Sequence, residues 1–242
     1  MARIRNFDHT RTLLIETAAQ LFATQGYDRT SVESIIGQAG VSKGAFYHHF
    51  SSKDQILDAV TSQLDIEAAD AIRAAVGERS VGALARLNRF FVTSRSWSLT
   101  HFSLVKEMID VLFREENVRM RRKVEKHAAA LIEPLLADII RQGNEEGVFA
   151  LPEPEESARM ILQMAWALRE AQVKTLSELG LTDAAFDVAQ RRLDLYVVML
   201  ERLLAVPAGS IERLSVDPSR AAIRAAQEAA SAPVGADAGI RR

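Results

Sequence analysis

The chain has 242 residues, 48% of them hydrophobic, enough for one large domain or two modest ones around a sizeable core. Its 30 Lys and Arg stand against 32 Asp and Glu, a formal net charge of −2, and the absence of Cys excludes a disulfide framework, a thiolate metal site and a Cys nucleophile. The opening MARIRNFDHTRT has no apolar signal core, and no uncharged apolar stretch approaches the ~20 residues of a membrane helix, so a soluble, cytoplasmic protein with no membrane partner is expected.

Residues 1–7 read as a flexible basic arm carrying Arg3 and Arg5, with Asp8 or Thr10 capping the first helix. Leu13, Leu14, Thr17, Ala18, Leu21 and Phe22 form its apolar stripe, and Gly26 stops it before Tyr27. The next stretch, TSVESIIGQAGVSKGAFYHHFSSK, holds three helix starts in two dozen residues. Thr30 with Glu33 is spaced as a capping box, in which the hydroxyl takes an orphan N–H and the carboxylate reaches back. Val32, Ile35, Ile36 and Ala39 repeat as one buried face, and Gly40 suits the left-handed stop. Ser42 caps a helix over 43–50 that is too short to stand alone in water. Ser52 with Gln55 starts a third.

Two helices joined by a short Gly-containing turn make a helix-turn-helix, whose second helix enters the major groove by its N-terminal end. That end is Ser42, Lys43, Gly44 and Ala45: a hydroxyl, open helix N–H groups, a cation and two small residues that admit close approach to phosphates. The other reading of the turn alone is a tight corner in any all-α protein. Charge in residues 1–60 is balanced, six basic against six acidic, so placement rather than sum favours DNA. Arg11, Lys43 and Lys53 sit near helix starts, and His9, His48 and His49 add a pH-dependent positive contribution.

From Thr12 to Leu57, through LFATQGYDRTSVESIIGQAGVSKGAFYHHFSSKDQIL, the chain resembles the N-terminal domain of TetR-family transcriptional regulators. The phrases carrying the resemblance are a helix ending in Gly-Tyr, a Thr-Ser entry, Ala-Gly-Val-Ser-Lys-Gly, an aromatic pair and Ser-Lys-Asp. The resemblance implies a three-helix DNA-binding head on a larger all-helical body for ligand binding and dimerisation. Ala45 and Phe46 depart from the Thr or Ser and Leu often found there, which removes one possible hydroxyl contact. On these grounds Arg11, Thr30, Ser31, Ser42, Lys43, Gly44, Ala45, Tyr47, His48 and Lys53 are the expected DNA-binding residues.

A long helix from Lys53 to about Ala75 links head and body. Beyond it the pattern is helical throughout, with helices expected over 81–94, 99–113, 117–142, 154–179 and 183–204, breaks at Gly143 and Gly147, and a kink or boundary at Pro134. The piece IRQGNEEGVFALPEPEESARMILQMAWAL also looks like the body of the same family. The expected organisation is all-α: a DNA-binding domain over 8–56 with its helix-turn-helix at about 32–51, a ligand-binding and dimerisation domain over 57–206, and an Ala/Pro-rich, partly disordered tail over 207–242 that holds one short helix over 218–230.

No HExxH, phosphate-binding Gly loop or Gly-x-Ser-x-Gly occurs, adjacent Glu pairs do not face one another on a helix, and RMRRKVEKH reads as a solvated face, so neither catalysis nor a metal nor a cofactor is expected. Trp97, His101, Leu104 and Met108 fall on one helical stripe, and with Trp166 and Arg169 they are the candidate contacts to a largely apolar small-molecule effector; Trp97 and Met108 read equally well as core. The segment 157–173 is apolar on nearly every side, with stripes Met160–Met164–Ala167 and Ile161–Ala165–Leu168 side by side. Ile161, Ala165, Leu168, Leu195, Tyr196, Val198 and Met199 are the expected homodimer contacts. The resulting reading is a ligand-responsive repressor on a palindromic operator of double-stranded DNA. The alternatives are a constitutive or activating regulator without effector and, from another class, a helical enzyme or protein-interaction bundle.

Overall fold

The computed structural model describes residues 2–218, 220 and 221, with side chains from residue 9 onward. They form α1 (Ala2–Gln25), α2 (Val32–Ala39), α3 (Lys43–His49), α4 (Lys53–Val76), α5 (Ala83–Thr100), α6 (Phe102–Leu112), α7 (Val118–Glu145), α8 (Pro154–Leu179) and α9 (Asp183–Leu204). A 3-10 turn at Glu115–Asn117 precedes α7, and no strand occurs among the described residues. None of these helices is long and apolar enough to cross a membrane.

The N-terminal helices pack around Leu14, Ala18, Phe22, Ile35, Phe46, Phe50, Ile56 and Leu57, all nearly inaccessible to solvent. α3 has only seven residues and is held because Phe46 and Phe50 insert into this cluster. Met108 and Val111 of α6 complete it, so head and body share packing that a boundary at residue 57 would cut. The body core lies among α4, α5, α7, α8 and α9, with Ile72, Leu87, Leu136, Ile140, Ile161 and Leu200 at its centre.

The body also buries a cation. Arg86, 3% exposed, donates from Nε to the Val76 carbonyl at 2.7 Å, from Nη2 to Asp138 at 2.8 Å and from Nη1 to the Gln142 side chain. It ties the end of α4 to α5 and α7. Arg86→Ala is expected to lower stability by about 2–4 kcal/mol, because the Gln142 side chain and the Val76 carbonyl lose their donor while Asp138 keeps only its outer partners Arg79 and Arg141. Urea unfolding of the variant measures this.

Several expectations are corrected. α1 begins at Ala2 rather than at a cap near residue 8, since a capping-type residue favours a helix start without forcing one; the side chains of Arg3 and Arg5 lie outside those described. The helices expected over 81–94 and 99–113 are redrawn with their junction at His101, whose φ of −101° and ψ of 25° lie outside the α-helical region. Pro134 does not divide α7, which runs unbroken as one element from Val118 to Glu145 and packs against both α4 and α8. Gly143 lies within α7 instead of ending it: a Cβ there would meet the Phe149 ring at 1.8 Å, so glycine admits that ring to the core.

The start of the expected Ala/Pro-rich, partly disordered tail is tied down as far as it is described. The buried Glu201 carboxylate accepts from Gly209 N at 2.8 Å and Ile211 N at 3.1 Å. Asn88 pairs with Ser210 and Glu212, Gln190 with Leu214 and Val216, and the Ile211 and Val216 side chains are buried. The expected helix over 218–230 and the rest of the tail fall largely outside the described residues.

Candidate nucleic-acid interface and ligand cavity

α2 starts at Ser31, whose Oγ accepts from Ser34 N at 3.0 Å while Ser34 Oγ accepts from Ser31 N at 3.1 Å. The capping box is therefore Ser31 with Ser34, one residue beyond the expected Thr30 and Glu33. Thr30 is 1% exposed and donates its hydroxyl to the Gly26 carbonyl at 2.9 Å, which closes the turn after α1 and removes it from any surface contact. α2 stops at Gly40 with φ 66°, and the chain turns through Val41 into α3.

Ser42 caps α3 by accepting from Ala45 N at 3.1 Å. The first turn of α3 then presents Ser42, Lys43 and Gly44 to solvent, with Ala45 half-buried and Tyr47 and His48 exposed one turn on. Lys43 lies 3.8 Å from Glu33, both side chains exposed, a pair of little energetic weight that a phosphate can displace. Its ammonium also sits 5.9 Å from the Tyr47 ring, which is 48% exposed. Arg11 is exposed over the Phe50 ring at 5.6 Å. Lys53 is turned inward: Nζ donates to the Tyr27 carbonyl at 2.9 Å and lies 4.0 Å from its ring, while the Tyr27 hydroxyl donates to Asp54. Burial and the Asp54 carboxylate push the Tyr27 phenol well above its ordinary range. Lys53 thus clamps the start of α4 to the head and is committed there before any DNA contact.

Two polar links join the head to α6 and the turn after it, and two more tie α7 to α4. Glu107 on α6 accepts from Tyr27 N at 3.3 Å. Arg114 grips Asp28 through both oxygens at 2.9 and 2.7 Å, and this hydrogen-bonded pair holds the Asp28 carboxyl below the usual carboxylate range. Lys123 meets Asp58 at 2.6 Å, and His127 Nδ1 meets Asp65 at 2.9 Å, tying α7 to α4.

A cavity of about 610 Å³ opens between α5, α6, α7, α8 and α9, with Leu214 and Val216 of the C-terminal segment in its wall. Phe90, Phe91, Phe102, Phe186 and Leu193 contribute apolar surface, and two of the effector candidates, Trp166 and Arg169, border it. The other four effector candidates do not reach it. Trp97 and His101 stack on each other with centroids 4.3 Å apart, and the His101 ring nitrogen meets the Trp97 carbonyl. Leu104 and Met108 point from α6 into the head cluster. The opposite stripe of α6, Phe102–Val105–Lys106–Ile109, faces the cavity. That spacing is visible in the sequence; which of two apolar stripes turned inward was not. Arg95, Asp110 and Gln172 also border the cavity and were missed.

On the outer side of α8 and α9 lie exposed Met160, Leu195, Val198, Met199 and Leu203, beside a shallow hollow bounded by Ser157, Gln163, Met164 and Ala167. Leu195, Val198 and Met199 were expected at a dimer contact and are free in this chain. Ile161 and Tyr196 are instead buried, the Tyr196 hydroxyl donating to the Ile161 carbonyl at 3.3 Å, and Ala165 and Leu168 border the cavity. The outward stripe of α8 is Met160–Met164–Ala167, one residue round the helix from the expected set.

Residues 14–60 match the family model described as bacterial regulatory proteins, tetR family. The Transposon Tn10 TetC protein of Escherichia coli is 47% identical over 58 residues, 24% of this chain and 29% of that protein. The HTH-type transcriptional repressor KstR2 of Mycobacterium tuberculosis is 28% identical over 140 residues, 56% of this chain and 67% of the relative. The stronger identity thus lies in the head and spans less than a third of TetC. Beyond it the likeness is one of fold: a TetR-family transcriptional regulator from Pectobacterium atrosepticum superposes with TM-score 0.64 at 20% identity, covering 84% of this chain and 98% of that one. Residues 14–60 thus carry the helix-turn-helix domain of the tetR family of bacterial regulatory proteins, and over most of its length the chain shares the helical architecture of a TetR-family regulator.

Proposed function

We propose that the chain is a transcriptional repressor that binds a palindromic operator as a homodimer and leaves it when a small molecule fills the body cavity. The observation that carries the reading is the open first turn of α3, where Ser42, Lys43 and Gly44 stand exposed on a helix braced from behind by Phe46 and Phe50. A helix held that way can press its N-terminus and a cation against the phosphates flanking a major groove. Relatives named as repressors, KstR2 among them, support the sign of regulation.

In this reading the head comprises α1 to α3 with the start of α4, and the rest is the body. Arg11, Ser31, Ser42, Lys43, Gly44, Ala45, Tyr47 and His48 remain the DNA-facing set. α6 is the element through which a ligand is felt, because one stripe borders the cavity and the other packs in the head. A ligand that separates its turns favours head positions that no longer match two grooves, which is a population shift.

The test is retardation of DNA flanking the protein's own coding region. Wild type is expected to shift that DNA in the presence of nonspecific competitor, more weakly as salt rises. Lys43→Ala is expected to bind several-fold more weakly with a salt slope reduced by about one. Absence of specific retardation by wild type, or an unchanged slope in the variant, counts against the reading.

A further inference from the structure

Four charged residues border the cavity, three cations (Arg95, Lys106, Arg169) and one carboxylate (Asp110). Lys106 and Asp110 pair at 2.6 Å, and Arg95 lies in the field of Asp217. Arg169 is differently placed. Its guanidinium lies over the Trp166 ring, 5.3 Å from the centroid, and it makes no salt bridge or side-chain hydrogen bond with another described residue. Asp65 acts on it only through its field, being itself hydrogen-bonded to His127 at 2.9 Å. Arg169 keeps much of its surface accessible, yet the protein packed around it pushes its pKa below the ordinary guanidinium range, chiefly by desolvation. One turn along α8, Gln172 brings an amide to the same wall.

A guanidinium offers five donors in a fixed fork that matches a carboxylate or phosphate through two parallel bonds. Here the fork stands over an aromatic ring at the edge of a space otherwise lined by phenylalanines and aliphatic side chains. A wholly apolar ligand would cover part of the guanidinium without supplying an acceptor in place of water, and a cationic one would be repelled. The volume, about 610 Å³, is in the range of small-molecule sites.

Resting on the reading of the cavity as an effector site, we propose that its ligand is an amphipathic anion, a carboxylate on a large apolar body, with the carboxylate on Arg169 and the body among Phe90, Phe91, Phe102 and Leu193. The chemistry is shared by straight-chain and by rigid polycyclic acids, and the probes separate them.

Full-length protein is titrated with dodecanoate, deoxycholate, dodecanol and dodecyltrimethylammonium below their micellar concentrations. Tryptophan fluorescence reports locally because Trp166 lies under Arg169, and thermal shift reports binding to the native state by mass action. At least one acid is expected to bind about tenfold or more tightly than dodecanol, the scale of a charge-assisted pair. Arg169→Gln is expected to remove that preference and Arg169→Lys to retain part of it. Preference for dodecanoate assigns a chain acid, and preference for deoxycholate a ring acid. Equal affinity for dodecanol and both acids, preference for the ammonium, an unchanged preference in Arg169→Gln, or binding of no probe overturns the proposal. DNA retardation is read in parallel. An acid that binds through Arg169 without releasing DNA leaves this inference standing and removes the ligand-responsive reading. Release by dodecanol with no preference for acids does the reverse.

Discussion

Gly44→Val is expected to cost roughly 100-fold in operator affinity, about 2.8 kcal/mol, while leaving the molecule folded. The space around Gly44 explains both halves of that result. A Cβ at this position meets only Ser42 Oγ, at 3.9 Å, so the larger side chain enters solvent and disturbs no packing. Valine is also the better helix former of the two. Against DNA the same side chain stands between the first turn of α3 and the sugar-phosphate backbone, and several contacts lengthen together because helix N–H groups reach phosphate only at close approach. Gel retardation with circular dichroism separates the effects: near-normal binding by a folded variant removes the close-approach argument, and an unfolded variant contradicts the open space seen here.

Leu195→Arg and Met160→Arg are expected to yield monomer, or aggregate, and to lose operator binding although neither residue is near the head. Each side chain is 58% exposed in the single chain, on the outer faces of α9 and α8 respectively. Met199, Val198 and Leu203 extend the patch, and a face so apolar on two adjacent helices fits a four-helix contact with a second copy. An unpaired charge in that seam costs several kcal/mol. The loss of DNA binding follows from geometry, since two recognition helices must sit about 34–36 Å apart to meet successive major grooves. Light scattering beside gel retardation is the measurement. A wild type monomeric at micromolar concentration removes both the interface and the palindromic-operator reading, and arginine variants that remain dimeric place the contact elsewhere; Ile161→Arg is not a substitute test, because Ile161 is buried and the variant would fail by unfolding.

Local chemistry determined a good part of this molecule. Gly40, Ser42 and Ser52 mark helix ends because a left-handed φ and a side-chain acceptor for an orphan N–H are needs of the backbone itself, met within a few residues. The bounds of α8 and α9 follow from Pro154 and Thr182 in the same way. The exposed turn Ser42–Lys43–Gly44 was equally legible, since the core-facing Phe46 and Phe50 fix which way a two-turn helix can face. Tertiary structure decided what periodicity leaves degenerate. Thr30 and Ser31 are both capping residues, and the closing of Tyr27's turn chose Ser31. Lys53 could serve DNA or the head, and the Tyr27 ring and carbonyl took it inward. α6 carries two apolar stripes and α8 three, so spacing alone could not assign Leu104 and Met108 to the head, Phe102 and Ile109 to the cavity, or Met160 rather than Ile161 to the outer face. A helix with one apolar stripe announces its orientation, whereas one with several is oriented only by the neighbours that cover it.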